Sequence, residues 1–322
     1  MTMKVGTHNG VFHADDVFGY CILKAAFDDD IEIVRTRDPK VLQNCDLVFD
    51  VGGNCDLVFD VGGGKYDHHQ VNKKYRENGV PYASAGLLWE EYGRGIVEKM
   101  GIKEAEEVER VFKNIDEKLI QGIDALDNGY DVGQTKVPIF NISSVISYMN
   151  PTWDSSIDEN KAFENATVVA DLVFQNALET ELSVYKAKST VIDAYNNREN
   201  PHILKLDKAC PWKETLLEID KDQEVLFTVY PIKEGDYRVQ TVPKTLTAFE
   251  SRADLPDAWA GKKGAELAQV TGLDDAVFCH PGKFIAGFKS LESAQAAAEM
   301  AVEHHKENIA NKDTNKDFEM EA

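Results

Sequence analysis

Tyr66-Asp67-His68-His69-Gln70 follows the glycine run Gly62-Gly63-Gly64 and gathers two adjacent imidazoles beside a carboxylate. Imidazole and carboxylate together suit Mn, Fe, Co or Zn, and the hard carboxylate oxygens favour Mn among them. Upstream, His8-Asn9-Gly10-Val11-Phe12-His13-Ala14-Asp15-Asp16 forms a second concentration of the same side chains. Each cluster comes after a short apolar run that reads as a strand. Polar residues at the C-terminal ends of strands in an α/β sheet line the usual ligand crevice. The two clusters therefore read as one metal site built on an α/β sheet.

Length and charge limit the alternatives. A chain of 322 residues is long enough for two domains. Its 56 acidic and 35 basic residues give a net charge of -21, a field that disfavours a broad non-specific DNA-binding face. A short polynucleotide end in a metal-lined cleft is compatible with that charge, because divalent cations invert the local field. No run of about 18 or more apolar residues is present, so no membrane helix is expected. Met1-Thr2-Met3-Lys4 leads straight into Val5-Gly6-Thr7-His8, and the expectation is a protein without a leader. Cys21, Cys45, Cys55, Cys210 and Cys279 form no Cys-x-x-Cys pair and read as reduced thiols. The expected location is therefore intracellular, in the cytoplasm with nucleus or mitochondrion as alternatives, and the sequons at Asn141 and Asn165 carry no weight.

Taken in order, residues 3–7 read as a strand ending at His8, and residues 15–27 as a helix with Val17, Phe18, Cys21 and Ile22 at helical spacing. Residues 31–35 form a second strand. The decapeptide NCDLVFDVGG then occurs twice without a gap, at 44–53 and 54–63. Two copies are too few for a solenoid, so one copy is expected in the sheet and the other in an inserted loop. Helices are expected over 83–92, 105–122 and 161–198, the last as a connector. Beyond it, strands are expected at 203–206, 225–230, 237–241, 278–280 and 284–288, with an alanine-rich helix over 290–304. The segment 306–322 reads as a solvated tail.

His8, His13, Asp15, Asp50 or Asp60, Asp67, His68, His69 and Asp124 or Asp127 are the residue types that a two-metal phosphoesterase requires. Carboxylates neutralise the paired cations, and histidines complete the coordination spheres. Any one of them taken singly reads equally well as a helix cap or turn residue. Their concentration in the first 130 residues favours a site.

These motifs, with Asp50-Val51-Gly52-Gly53 and Ile123-Asp124-Ala125-Leu126-Asp127-Asn128-Gly129, resemble the melanocyte proliferating gene exonuclease family, a branch of the Asp-His-His phosphoesterases. The likeness continues through Val242-Pro243, Arg252, Trp259 and Phe278-Cys279-His280. It implies an α/β fold: an N-terminal domain with a mainly parallel sheet and flanking helices, a helical connector, and a smaller C-terminal α+β domain that helps bind substrate. It implies a dinuclear centre, two Mn2+ with Mg2+, Co2+ or Zn2+ as substitutes, and 3′–5′ RNA exonuclease activity. Carried over by residue, His8, His13, Asp15, Asp50, His68 and Asp124 would hold metal, with Asp60 and Asp127 as alternatives. His69 would face the phosphate and Asp67 would orient the histidines. Two departures stand out. His13 falls where broader Asp-His-His enzymes carry aspartate, and a short loop of the family before the Asp-His-His motif is replaced by the duplicated decapeptide.

In the C-terminal part Arg252, His280 and Lys283 are candidates for contacting a phosphate, and Cys279 reads as a buried thiol. The expected organisation is a catalytic domain over 1–160, a connector over 161–200, a substrate domain over 201–308 and a flexible tail over 309–322. The expected activity is metal-dependent phosphodiester hydrolysis of RNA or a short oligonucleotide. Two rivals remain: a small-molecule phosphoesterase, told apart by chain-length dependence, and a non-catalytic metal-binding protein whose site the duplication has disabled. No membrane partner is expected, and the oligomeric state is open, a homodimer included.

Overall fold

The structure is a computed structural model and describes residues 2–28, 30–48, 74–133 and 136–320. The duplicated decapeptide from residue 49 onward and the Asp-His-His stretch lie outside the described residues, so Asp50, Asp60, Asp67, His68 and His69 receive no placement. The chain divides into two compact units, Met1–Leu182 and Ser183–Ala322.

In the first unit, strand β1 (Met3–Thr7) is followed by helix α1 (Ala14–Ala26), strand β2 (Ile31–Arg35), helix α2 (Pro39–Leu42) and strand β3 (Leu47–Val48). Among the described residues these strands form a parallel sheet in the order β2-β1-β3, with Met3 opposite Ile31 and Val5 opposite Leu47. A parallel sheet needs cover on its faces. Val17, Phe18, Cys21 and Ile22 of α1 are fully buried, as the helical spacing requires.

Helix α3 (Ser84–Lys99) packs against α1. It runs seven residues beyond the helix expected over 83–92. Helix α4 (Ala105–Ile115), a single π-helical turn (Asp116–Ile120) and helix α5 (Gln121–Asp127) follow without a break. The expected helix over 105–122 thus runs on to Asp127, and the wider turn re-aims the residues after it. Helix α6 (Ile142–Ser147) precedes the long helix α7 (Glu159–Asn196), inside which the unit boundary falls. Trp89 of α3 stacks on Phe112 of α4 at 5.5 Å and meets Phe174 of α7 edge-on at 5.9 Å, which locks these three helices together.

The second unit contains strand β4 (Ile203–Lys205), helix α8 (Lys213–Ile219), strands β5 (Phe227–Pro231) and β6 (Tyr237–Thr241), helix α9 (Gly264–Thr271), strands β7 (Ala276–Cys279) and β8 (Ile285–Phe288), and helix α10 (Leu291–Met320). Its sheet runs β4-β5-β6-β8-β7, with β4–β5 parallel and the other pairs antiparallel. Ala294, Ala297, Ala298 and Ala301 present a small-residue face of α10 to Phe227, Val239 and Phe288. The same helix continues through the stretch expected as a tail. Lys306 reaches back to Glu303 at 2.7 Å, an i,i+3 pair on its surface. The fold is α/β, with a parallel sheet in one unit and a mixed sheet in the other.

Candidate metal centre

β1 delivers the chain to the site. The loop from His8 to His13 leaves the strand end and becomes the start of α1, so its backbone must be fixed without a ladder of its own. Gly10 adopts φ +97°, in the left-handed region that glycine tolerates. Arg35 donates to the Gly10 carbonyl at 2.9 Å, with its guanidinium 4.6 Å from the Phe163 ring centre. The Asn150 side chain accepts from the Phe12 N–H at 2.9 Å and donates to the Phe12 carbonyl at 2.8 Å. Asp16 Oδ2 accepts from the His13 N–H at 3.0 Å. Three separate parts of the first unit therefore pin one short loop.

His8 is buried, with Nε2 3.0 Å from Asp16 Oδ2 and Nδ1 3.1 Å from the Asn9 carbonyl oxygen. Burial alone would lower its basicity. The hydrogen bond and charge of Asp16 more than offset that, and His8 is raised above the usual histidine range. His13, Asp15 and Asp127 converge, each with a ligand atom within 4.8 Å of the others. Asp15 is buried, Asp127 half-buried and His13 exposed, which leaves one open side. Two carboxylates and an imidazole are a donor set for Mn2+ and its neighbours, and the residues fit such an ion.

Asp124 lies outside this group. Its carboxylate is fully buried, accepting from Arg76 Nη2 at 2.8 Å and from the Gly86 N–H at 3.0 Å. Arg76 also binds Asp116 through Nε at 2.7 Å and Nη2 at 2.6 Å. Burial pushes the Asp124 carboxyl up to about 7 against the pull of Arg76. A Cβ on Gly86 would fall 1.8 Å from Asp124 Oδ2, so glycine is required for this approach. Of the two α5 carboxylates, the one that joins His13 and Asp15 is Asp127.

In the second unit the Arg252 side chain is buried. It forms an ion pair with Asp220 and donates to the Val225 carbonyl at 2.9 Å, an arrangement that commits its charge internally. Lys283 Nζ is shared by Asp257 at 2.7 Å and Asp254 at 3.4 Å. His280 is exposed; its Nδ1 accepts from the Gly282 N–H at 2.9 Å, and its ring lies 4.4 Å from that of Phe284. Burial pushes the Cys279 thiol up to about 11, which agrees with a buried, unreactive sulfur.

Sequence reasoning gave Asp16 no role of its own in the site and passed over Asn150 and Arg76. Asp16 carried a signal: it stands three residues after His13, the spacing at which a side chain reaches back to the start of a helix. Asn150 and Arg76 act across 138 and 48 residues respectively, and no local pattern announces them.

With the strand-end loop, the converging donors and the α/β frame in place, the class is an α/β protein with a candidate metal centre. The chain belongs to the MYG1 exonuclease family, whose sequence profile, described as an uncharacterised protein family (UPF0160), matches residues 4–302. Human MYG1 exonuclease is 32% identical over 327 residues, which cover 92% of this chain and 84% of the human protein. The MYG1 protein of Dictyostelium discoideum is 29% identical over 313 residues, covering 91% of this chain and 94% of its own. Among solved structures, Thermus thermophilus RecJ in complex with Mg2+ matches 94% of this chain at 14% identity and a TM-score of 0.28. This chain spans about half the length of that RecJ, 50%. A manganese-bound exonuclease RecJ matches at 16% identity and a TM-score of 0.24.

Proposed function

We propose that the chain is a metal-dependent phosphodiester hydrolase acting on RNA or short oligonucleotides, with removal of nucleotides from the 3′ end as the specific reaction. The observation that carries this reading is the convergence of His13, Asp15 and Asp127 at the exit of β1. The exonuclease name of the human relative supports a nucleic-acid substrate.

In this reading His13, Asp15 and Asp127 hold a divalent cation, Mn2+ by preference. His8, Asp50 and His68 complete a dinuclear centre, Asp60 stands as the alternative to Asp50, and Asp124 takes the internal position that Arg76 gives it. A cation bound there supplies Lewis acidity toward a phosphate oxygen and the acidity that makes water a nucleophile near neutral pH. The chain's own contribution is positional. Asp16 fixes the His8 imidazole through Nε2 and the backbone of His13 through its N–H. Asn150 and Arg35 hold the intervening loop. His69 and Asp67 are assigned to the phosphate and to histidine orientation. His280 and Lys283 are the second unit's candidates for a phosphate contact.

The test is hydrolysis of a 5′-labelled RNA oligonucleotide with added Mn2+, beside Asp15→Asn and His68→Ala. A metal-dependent ladder of labelled fragments that disappears in both variants is the expected result. Immediate release of labelled mononucleotide would reverse the polarity. Turnover confined to di- and trinucleotides would favour the small-substrate reading, which the net charge of -21 also suits. Undiminished hydrolysis in Asp15→Asn would sink the site.

A further inference from the structure

The first unit leaves an unusual set of aromatic side chains in solvent beside the metal loop. Trp153 is 98% exposed, whereas Trp89, Trp212 and Trp259 are 0%, 4% and 3% exposed. Tyr148 is 81% exposed and Phe140 67%, with their rings stacked at 6.1 Å. Scattered exposed apolar residues need no explanation, but large aromatics grouped on one short segment mark a contact surface.

The position of this segment is defined. Asn150, between Tyr148 and Trp153, is the residue whose side chain brackets both backbone groups of Phe12, the neighbour of His13. The α6 helix joins Phe140 to Tyr148 and packs against α1 and α5, which carry Asp15 and Asp127. The aromatic segment is thus tied in register to the loop and helices that present the metal donors.

We propose that Trp153 and Tyr148 form a stacking edge for the bases of the substrate strand, held at a fixed distance from the metal centre by Asn150. This deepens the nuclease reading and rests on it. Position selects this occupant: Asn150 ties the segment to the loop that carries His13, where a substrate strand would end. A chain at -21 offers little phosphate attraction over its surface, and stacking on an aromatic face supplies affinity that needs no surface cation. Because every base has a π-face, such an edge accepts any sequence. Its affinity also depends less on salt than that of a basic groove.

The experiment uses the full chain with the tetranucleotide rA4, and with rA4 in which the last two riboses are abasic, in EDTA for binding and in Mn2+ for turnover. With the other three tryptophans buried, base stacking on Trp153 is read as quenching of intrinsic fluorescence. Wild type is expected to quench with rA4 and much less with the abasic strand. Trp153→Ala and Tyr148→Ala are each expected to raise Kd and KM for rA4 about tenfold, with the larger share of the lost kcat/KM in KM. In Trp153→Ala the abasic change should have little further effect, and Trp153→Phe should recover most of the affinity.

If wild type hydrolyses rA4 while both alanine variants keep its KM, the stacking edge is wrong and the nuclease reading stands. Absence of both binding and hydrolysis of rA4 in Mn2+-loaded wild type overturns both. A concentration-dependent dimer that shields Trp153 from acrylamide and is lost in Trp153→Ala would make this face a contact between copies and overturn the proposal.

Discussion

Asp124 and Asp127 sit one helical turn apart on α5 and meet opposite chemistry. Asp124 points into the first unit, where the Arg76 guanidinium lies between it and Asp116. Asp127 reaches the strand-end loop, where its neighbours within 4.8 Å are a second carboxylate and an imidazole. One cluster brings its own cation. In the other, the described residues gather two carboxylates and an imidazole, a donor set that suits a divalent cation. The second unit repeats the first pattern: Asp220 receives Arg252 and the N–H groups of Glu224 at 3.2 Å and Val225 at 3.1 Å. An aspartate with an arginine partner and backbone donors has its charge met within the fold, and an aspartate grouped with other metal donors is the better candidate for a site.

The largest effect that tests this contrast is on stability. Arg76→Ala leaves two carboxylates in a buried pocket without their cation, and the expected loss is about 3–5 kcal/mol, read from the guanidinium chloride unfolding curve. A loss within experimental error would show that Asp124 does not depend on Arg76. Next comes metal affinity. Asp127→Asn is expected to weaken Mn2+ binding by about 100-fold or more, since even outer-shell changes at metal sites cost about 10- to 100-fold. It should leave the metal-free unfolding curve close to wild type. Asp124→Asn should show the reverse pattern. Electron paramagnetic resonance of free Mn2+ measures both, and an exchange of the two patterns would make Asp124 the ligand.

Much of this arrangement was legible in the sequence, and the illegible part has a physical reason. The β1 strand, the α1 helix and the candidacy of His13 and Asp15 as metal donors follow from alternation, helical spacing and side-chain chemistry, all local properties. The choice between Asp124 and Asp127 was not local. Both lie in one acidic motif, and the partner that separates them, Arg76, is 48 residues from Asp124 in sequence. The π-helical turn at Asp116–Ile120 adds to the difficulty, because it shifts the register that a regular helix would have set. Arg252 was read as a phosphate contact for the same reason: its residue type suits phosphate, but Asp220, 32 residues upstream, has claimed it. The loop anchor Asn150 likewise needed the fold before it could be seen.

The smallest effect concerns protons. Burial removes water from the Asp124 carboxyl and penalises its charged form, and Arg76 and the Gly86 N–H offset this only in part. Asp124 is therefore pushed up to about 7, while in the unfolded chain an aspartate titrates near 3.9. Between those values the folded state retains a proton that the unfolded state has released. Stability from this group is therefore complete at the acid end and declines as pH rises toward 7, the slope being proportional to protons bound unfolded minus protons bound folded. One shared proton limits the slope to about 1.4 kcal/mol per pH unit. Unfolding free energies of metal-free wild type and Asp124→Asn, compared from about pH 5 to about pH 8, isolate it, because the amide has no proton to lose. The difference should fall with pH and level off above about 7. A level difference throughout would mean that Arg76 holds Asp124 as a permanent anion. The contrast between the two α5 carboxylates would then rest on the identity of their partners alone and owe nothing to their protonation.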